Sequence, residues 1–236
     1  MSDTSPRIEI DRVCYFYGST TLFKDVSFSL DQGEGMIITG ESGAGKSTLL
    51  RICAAIERPH NGRLFLNGRD VTELNNNLLV YERQRMGFVF QNNALISFLP
   101  VFENIAMPLR YHRLHPRGAV NRIVNSILER LNIERLAYRR PEELSRGESK
   151  LVAIARALIM EPDLLFLDEP LSGIHSSAAE YIIDVVKEIK TERSITILMI
   201  SHIIGFIKEM GLPVVTIYNR GLKKGLYLKE ERGDTE

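Results

Sequence analysis

The sequence predicts an α/β fold, and three observations carry that expectation. First, Met36-Ile37-Ile38-Thr39 is a short apolar strand running directly into Gly40-Glu41-Ser42-Gly43-Ala44-Gly45-Lys46-Ser47-Thr48, after which Leu49-Leu50-Arg51-Ile52 begins a helix. Second, Leu164-Leu165-Phe166-Leu167 and Ser194–Ile200 are almost unbroken apolar runs, as expected of strands buried on both faces of a parallel sheet. Third, the stretch between these strands is helical in texture: Val120, Ile123, Val124, Ile127 and Leu131 recur at helical spacing and form one apolar stripe.

Taken in order, Ile8, Ile10 and Val13 open a half-buried strand, and Val26, Phe28 and Leu30 alternate with Asp25, Ser27 and Ser29 as a second. Between them stands Tyr15-Phe16-Tyr17-Gly18, where a flat aromatic side chain can stack on a planar ring. After the first helix, Pro59–Gly62 marks a turn, Arg63–Leu66 a strand and Asn67-Gly68 a hairpin. Leu74–Arg85 is polar and expected to be partly helical, and Met86–Phe90 is a further apolar strand ending at Gln91. Asn92–Leu99 reads as a loop, yet it carries Ala94, Leu95, Ile96, Phe98 and Leu99, so it is expected to meet either the helical region or a partner. Val101–Arg113 and Pro116–Leu131 are expected helices, the first disturbed at Pro108. A helix from Ser145 to about Met160 is ended by Glu161-Pro162, and another around Ala178–Thr191 turns Ile182, Val185, Val186 and Ile189 to one side. Pro213–Tyr218 and Gly225–Leu228 are expected to close the fold as a pair of strands.

Composition narrows the function classes. A chain of 236 residues with 44% apolar residues can bury one domain, or one with a subdomain. Its 30 Lys and Arg are balanced by 30 Asp and Glu, without the basic excess of a nucleic-acid binder. The arginines between 110 and 140 alternate with Glu129 and Glu134 and read as a solvated helical face, so no nucleic acid is expected as a partner. Cys14 and Cys53 form no C-x-x-C pair and are expected to be buried thiols of a reducing compartment. The richest apolar stretch, Ile195–Ile207, is broken by Ser201, His202 and Gly205, short of the roughly 18 apolar residues a membrane span needs. The chain is expected to be soluble by itself.

Residues 40–48 fit the pattern G-x-x-x-x-G-K-S/T. Glycines let the backbone wrap so that its N–H groups point at phosphate oxygens. Lys46 brings a compact positive charge toward the β- and γ-phosphates, Ser47 brings a hydroxyl for Mg²⁺, and the following helix start favours anions. At the end of the apolar run 164–167, Asp168 can hold the Mg²⁺ shell. Glu169, expected to point the opposite way along the strand, can polarise a water. Ser145 and Glu148 form a capping box that opens a helix, giving a second anion-accepting N-terminus at Ser145–Gly147.

This ordered set resembles the ATP-binding cassette (ABC) ATPases, across nearly the whole chain. In that resemblance Tyr17 is the A-loop aromatic, Gly40–Thr48 the Walker A loop and Gln91 the Q-loop glutamine, which also reaches the metal. Leu144–Glu148 stands where the family has LSGGQ, Leu164–Asp168 is Walker B, Glu169 the catalytic glutamate, Ser172–His175 the D-loop and His202 the switch histidine. The sequence departs from the family at Arg146 and Glu148, in place of glycine and glutamine, and at His175, in place of aspartate.

The resemblance implies a P-loop NTPase (RecA-like) core over 1–91 and 150–236, with an N-terminal antiparallel β subdomain, and a helical subdomain with the signature motif over 92–149. It implies ATP and Mg²⁺ as cofactors, ATP hydrolysis, and a head-to-tail homodimer in which Ser145, Arg146, Gly147 and Glu148 close on the partner's nucleotide. It further implies two membrane permease subunits and a cytoplasmic location, peripheral on the inner face of the membrane. Residues 91–112, with Ala94-Leu95, Val101-Phe102-Glu103-Asn104 and Pro108-Leu109-Arg110, look like the ATPases of Mla-type phospholipid transporters, which work with Mce-domain proteins. Lipoprotein-release or macrolide-export motors, which share the Glu103-Asn104-Ile105 and Pro108-Leu109 stretch, are the alternative, as is a regulatory ATPase that signals through a membrane partner.

Overall fold

In the central sheet the faces alternate although almost every residue is apolar. Leu164, Phe166, Leu198 and Ile200 join one buried cluster, while Leu165, Leu167, Ile197 and Met199 join another. A strand with both faces covered must be apolar throughout, which is why these runs show no period-two pattern. The computed structural model describes residues 5–113, 115–174 and 176–225, with the backbone alone at 176, 192 and 193.

The elements in chain order are β1 (Ile8–Tyr17), β2 (Thr20–Leu30), β3 (Gly35–Gly40), α1 (Lys46–Cys53), β4 (Asn61–Leu66), β5 (Arg69–Asp70), α2 (Asn76–Arg83) and β6 (Met86–Val89). There follow α3 (Val101–His112), α4 (Arg117–Arg130), α5 (Arg146–Leu158), β7 (Leu164–Asp168), α6 (Ser176–Arg193), β8 (Thr196–Ile200), α7 (Ile204–Met210), β9 (Val214–Tyr218) and β10 (Gly221–Lys224). One sheet has the order β2-β1-β4-β5 and is antiparallel. The other has the order β10-β9-β3-β8-β7-β6, parallel except for the edge strand β10. The expected α/β class with an antiparallel β region and a helical insertion is thus the architecture observed. Cys14 and Cys53 are both buried and free, as expected.

The chain order of the parallel sheet positions the site. β3, β8 and β7 are neighbours, with Ile38 beside Ile200 and Asp168 beside Ile200. Their carboxyl ends lie along one edge, with β6 next to β7. In open α/β sheets ligands bind outside that edge.

Three sequence expectations change. Tyr15–Tyr17 does not lie between strands: β1 continues through it to pair Tyr17 with Thr20, and Gly18, at φ 58°, makes the turn. α3 runs through Pro108 to His112 because Ile105 and Leu109 bury its face, and packing outweighs the one lost backbone bond. The last strand is β10, Gly221–Lys224, entered through Asn219 and Arg220 at positive φ, rather than Gly225–Leu228; residues 226–228 lie outside the described residues. α5 runs across position 149, so the helical segment is rooted in a helix that continues into the core.

Candidate functional site

Between β3 and α1 the chain makes its loop with Gly40, Gly43 and Gly45 at φ 143°, 80° and 90°. At Gly40 a Cβ would lie 2.8 Å from the Ile217 carbonyl oxygen, and at Gly45 it would lie 3.2 Å from the Phe23 ring. Glycine is thus required at both for the backbone to close around an anion. The Ala44 N–H donates to the Glu41 carbonyl and shapes the turn. Lys46 Nζ donates to the carbonyls of Gly40 and Glu41, each at 2.9 Å, and lies over the loop opening. Burial lowers its pKa, against the opposing pull of Glu169 and Asp168. Thr48 accepts from Arg51 at 3.1 Å and braces the first turn of α1.

The Ser47 hydroxyl donates to Asp168 Oδ1 at 3.1 Å, across from the end of β7. Burial raises the Asp168 pKa, and the Ser47 hydrogen bond partly offsets this. Glu169 follows in the left-handed region at φ 49°, and its N–H donates to the Ile200 carbonyl. Its direction therefore comes from this backbone turn, because β7 ends at Asp168, and strand alternation does not apply. Glu169 Oε1 lies 2.8 Å from His202 Nδ1, just beyond β8. Glu169 Oε2 is buried without a hydrogen-bond partner.

Gly40, Ser42, Gly43, Gly45, Lys46, Ser47, Thr48, Gln91, Glu169, Ile200 and His202 together wall one cleft of about 570 Å³. Residues drawn from four strand ends thus meet in one place. The cleft suits a triphosphate and its metal: glycines cradle, an ammonium faces in, a hydroxyl and a carboxylate already touch, and a carboxylate oxygen awaits a donor. Tyr17 lies outside it at the tip of the β1–β2 hairpin and is 76% exposed.

Ser145, Arg146, Gly147 and Glu148 also lie outside this cleft. They start α5. The Glu148 N–H donates to Ser145 Oγ at 3.2 Å, and the Ser145 N–H donates to Glu148 Oε2 at 2.9 Å. The capping box expected from the sequence is formed. Bonding to the Ser145 N–H, first, and to Ser145 Oγ and Arg135 holds the Glu148 carboxyl below its ordinary range. Arg135 Nη1 lies 2.8 Å from Glu148 Oε1, so the carboxylate is paired within its own chain. Arg146 Nη1 donates to the Gly173 carbonyl at 3.4 Å, reaching the loop after Glu169 in its own chain. Gly147 is buried where a Cβ would lie 2.9 Å from Ala178 Cβ on α6. His175 lies outside the described residues.

Three polar residues were missed in the sequence. Lys150, on α5, donates to the carbonyls of Phe90 and Gln91 at 3.2 Å each, and burial lowers its pKa to about 8. Arg156 donates to the carbonyls of Ala94 and Asn93 at 2.7 Å each. Asn104 is wholly buried in α3: its Oδ1 accepts from the Ile96 N–H at 2.8 Å, and its Nδ2 donates to the carbonyls of Ile96, Leu99 and Pro100. The signal for Lys150 was a charge at the head of Leu151-Val152-Ala153-Ile154, and for Asn104 a polar residue on the stripe of Val101 and Ile105. These contacts pin the loop 92–99. Leu95 packs against the larger apolar cluster, while Phe98 is 73% exposed, so the apolar set in this loop divides between interior and surface.

Comparison with known proteins gives the family and the fold. The model of the ABC transporter family matches residues 23–172. The chain belongs to the ABC transporter family. The molybdate/tungstate import ATP-binding protein WtpC of Thermococcus kodakarensis is 41% identical over 179 residues, which are 76% of this chain and 52% of WtpC. The chain thus spans about half the length of that relative. The lipoprotein-releasing system ATP-binding protein LolD 1 of Rhodopseudomonas palustris is 34% identical over 184 residues, 78% of this chain and 81% of LolD 1. Among solved structures, the ATP-binding cassette MJ0796, a dimer in a post-hydrolysis state bound to ADP and Pi, superposes with TM-score 0.84 at 27% identity, covering 92% of this chain and 98% of that one. The fold is therefore that of an ABC cassette, the part of this family that takes ATP with Mg²⁺. Among the described residues no helix is long and apolar enough to cross a membrane.

Proposed function

We propose that this chain binds ATP with Mg²⁺ and hydrolyses it as the motor subunit of a membrane transporter. The observation that carries the proposal is the convergence on one cleft of Lys46, Ser47, Gln91 and the Glu169–His202 pair, with Asp168 bonded to Ser47 behind it. Gly40–Thr48 wraps the phosphates, and Lys46 leaves the Gly40 and Glu41 carbonyls to meet them. Ser47, Asp168 and Gln91 would hold Mg²⁺, which when bound supplies positive charge to the phosphate oxygens. Glu169 accepts the proton of the attacking water through its unpartnered oxygen, and His202 fixes the other oxygen. Tyr17 stacks on the adenine through its exposed ring.

Among the described residues, Ser145–Glu148 do not wall the cleft of their own chain. A head-to-tail homodimer brings Ser145–Glu148 of one copy to the nucleotide of the other; the dimeric state of MJ0796 supports this. In this reading 1–91 with 150–236 forms the nucleotide-binding core, and 92–149 moves with the signature motif. Two permease subunits hold the pair at the inner face of the cytoplasmic membrane, and Phe98 contributes to that contact.

For the cargo, residues 91–112 favour a lipid carried between bacterial membranes with an Mce-domain partner. The match to LolD 1 over 81% of its length favours a second reading, lipoprotein release. Calorimetry with Mg-ATP tests the motor: wild type should bind and release phosphate, and Lys46→Ala should lose binding by about ten-fold or more. Undiminished binding by Lys46→Ala would remove the loop from the nucleotide site. Phospholipid or lipopeptide recovered with the purified complex separates the two cargo readings.

A further inference from the structure

Lys150 stands on the second turn of α5 at 2% exposure, followed by Leu151-Val152-Ala153-Ile154. An ammonium in such surroundings costs folding energy that a methionine of similar length would not. What it gains is specific. Two of its three donors go to the carbonyls of Phe90 and Gln91, just beyond the end of β6. Those carbonyls have left the ladder of β6 and β7, which ends at Val89 and Leu167. The charges that face Lys150 through space are Asp168 and Glu169, at the end of β7. One side chain therefore joins the backbone at 90–91 to a helix whose first residue, Arg146, is about one turn away, while the charges of Asp168 and Glu169 act on it through space.

We propose that Lys150 is a positioning residue that ties Gln91 to α5, so that the glutamine of one nucleotide site and the helix start that serves the other advance and withdraw together. This rests on the role given to Gln91 and on the paired arrangement under Proposed function. A lysine serves because its ammonium bridges two successive carbonyls, holding the chain at 90–91 in one path. The side chain of Gln91 leaves that path toward the cleft, so a shift of the backbone displaces the amide at the phosphates.

The test is a two-residue cycle measured as Mg-ATP turnover by the full chain. Lys150→Met keeps the length and removes the donors. Turnover should fall about ten-fold while the KM for ATP changes by less than about two-fold. In a Gln91→Ala background, already slowed, Lys150→Met should cost less than a further two-fold or so, because the group being positioned is gone. Should Lys150→Met fail to fold in thermal melts, Lys150→Gln, whose amide keeps a donor, is read in the same cycle. Equal losses in both backgrounds, or a rise in KM that accounts for the lost rate, would overturn the proposal while leaving the role of Gln91 intact. Wild-type turnover by Gln91→Ala would instead remove Gln91 from the chemistry and this proposal with it.

Discussion

Replacing Glu169 by glutamine separates binding from chemistry, because the site distinguishes its two oxygens. Oε1 lies 2.8 Å from His202 Nδ1, and an amide oxygen can keep that contact. Oε2 is buried and unpartnered, the position from which a proton would be taken. An amide nitrogen there fills the same space but accepts no proton. A positioned general base contributes about 10²- to 10⁴-fold, which at ~1.36 kcal/mol per decade is ~2.7–5.4 kcal/mol of the barrier. Binding should change little, since Lys46, Ser47 and the loop glycines are untouched. Folding should not suffer either, because the substitution removes a charge from a residue only 7% exposed. Phosphate release by Glu169→Gln should therefore fall at least about 100-fold, with calorimetric ATP affinity within a few-fold of wild type. ATP should also hold two copies together, seen as an earlier peak in size exclusion. Hydrolysis at the wild-type rate would show that the base lies elsewhere. Parallel loss of binding would show that Glu169 serves the phosphates and not the water.

Two further outcomes follow from the start of α5. Gly147→Ala places a methyl 2.9 Å from Ala178 Cβ, so α5 and α6 must part; thermal melts should show a loss of about 1–3 kcal/mol, and an unchanged midpoint would mean the helices slide without cost. Arg146→Ala frees the Gly173 carbonyl from a long, exposed hydrogen bond of about 1 kcal/mol or less. If that bond restrains the loop at 171–174, basal phosphate release should rise by a factor of about five at most; a fall would show that Arg146 assists turnover.

Much of the site was legible because its parts are local patterns. The loop at 40–48 needs glycine at fixed places, and the structure shows why at Gly40 and Gly45. The S-x-x-E spacing at 145–148 gave the capping box, and continuous apolar runs gave the parallel strands. What escaped lies in single backbone dihedrals and in contacts between distant residues. Glu169 turns by its own backbone dihedral, which alternation cannot foresee. Lys150 reaches across 59 and 60 positions to Gln91 and Phe90, and no spacing rule joins them. Gly147, read as part of an anion site, also makes room for α6. The closing strand begins at Gly221 rather than at Gly225, because Asn219 and Arg220 at positive φ already turn the chain back.

The loop between Gln91 and Pro100 now has a physical description that its composition alone withheld. It is irregular, yet it is held at both ends and in the middle: Lys150 takes the carbonyls at 90 and 91, Arg156 those at 93 and 94, and Asn104 both backbone groups of Ile96. Those side chains come from α5 and α3, so the loop belongs mechanically to the helices as well as to β6. Its inner end presents Gln91 to the phosphate cleft, and its outer part presents Phe98 to solvent. A loop of this length free to rearrange would absorb a push on Phe98 in its own dihedrals. One pinned by three polar side chains instead passes displacement to α3, α5 and the backbone of Gln91. The hydrogen bonds themselves are ordinary in strength, but Lys150 and Asn104 are buried, so releasing their contacts would leave buried donors unsatisfied, and that asymmetry keeps the loop in one path. The Lys150 cycle measures how much of this connection reaches the chemistry.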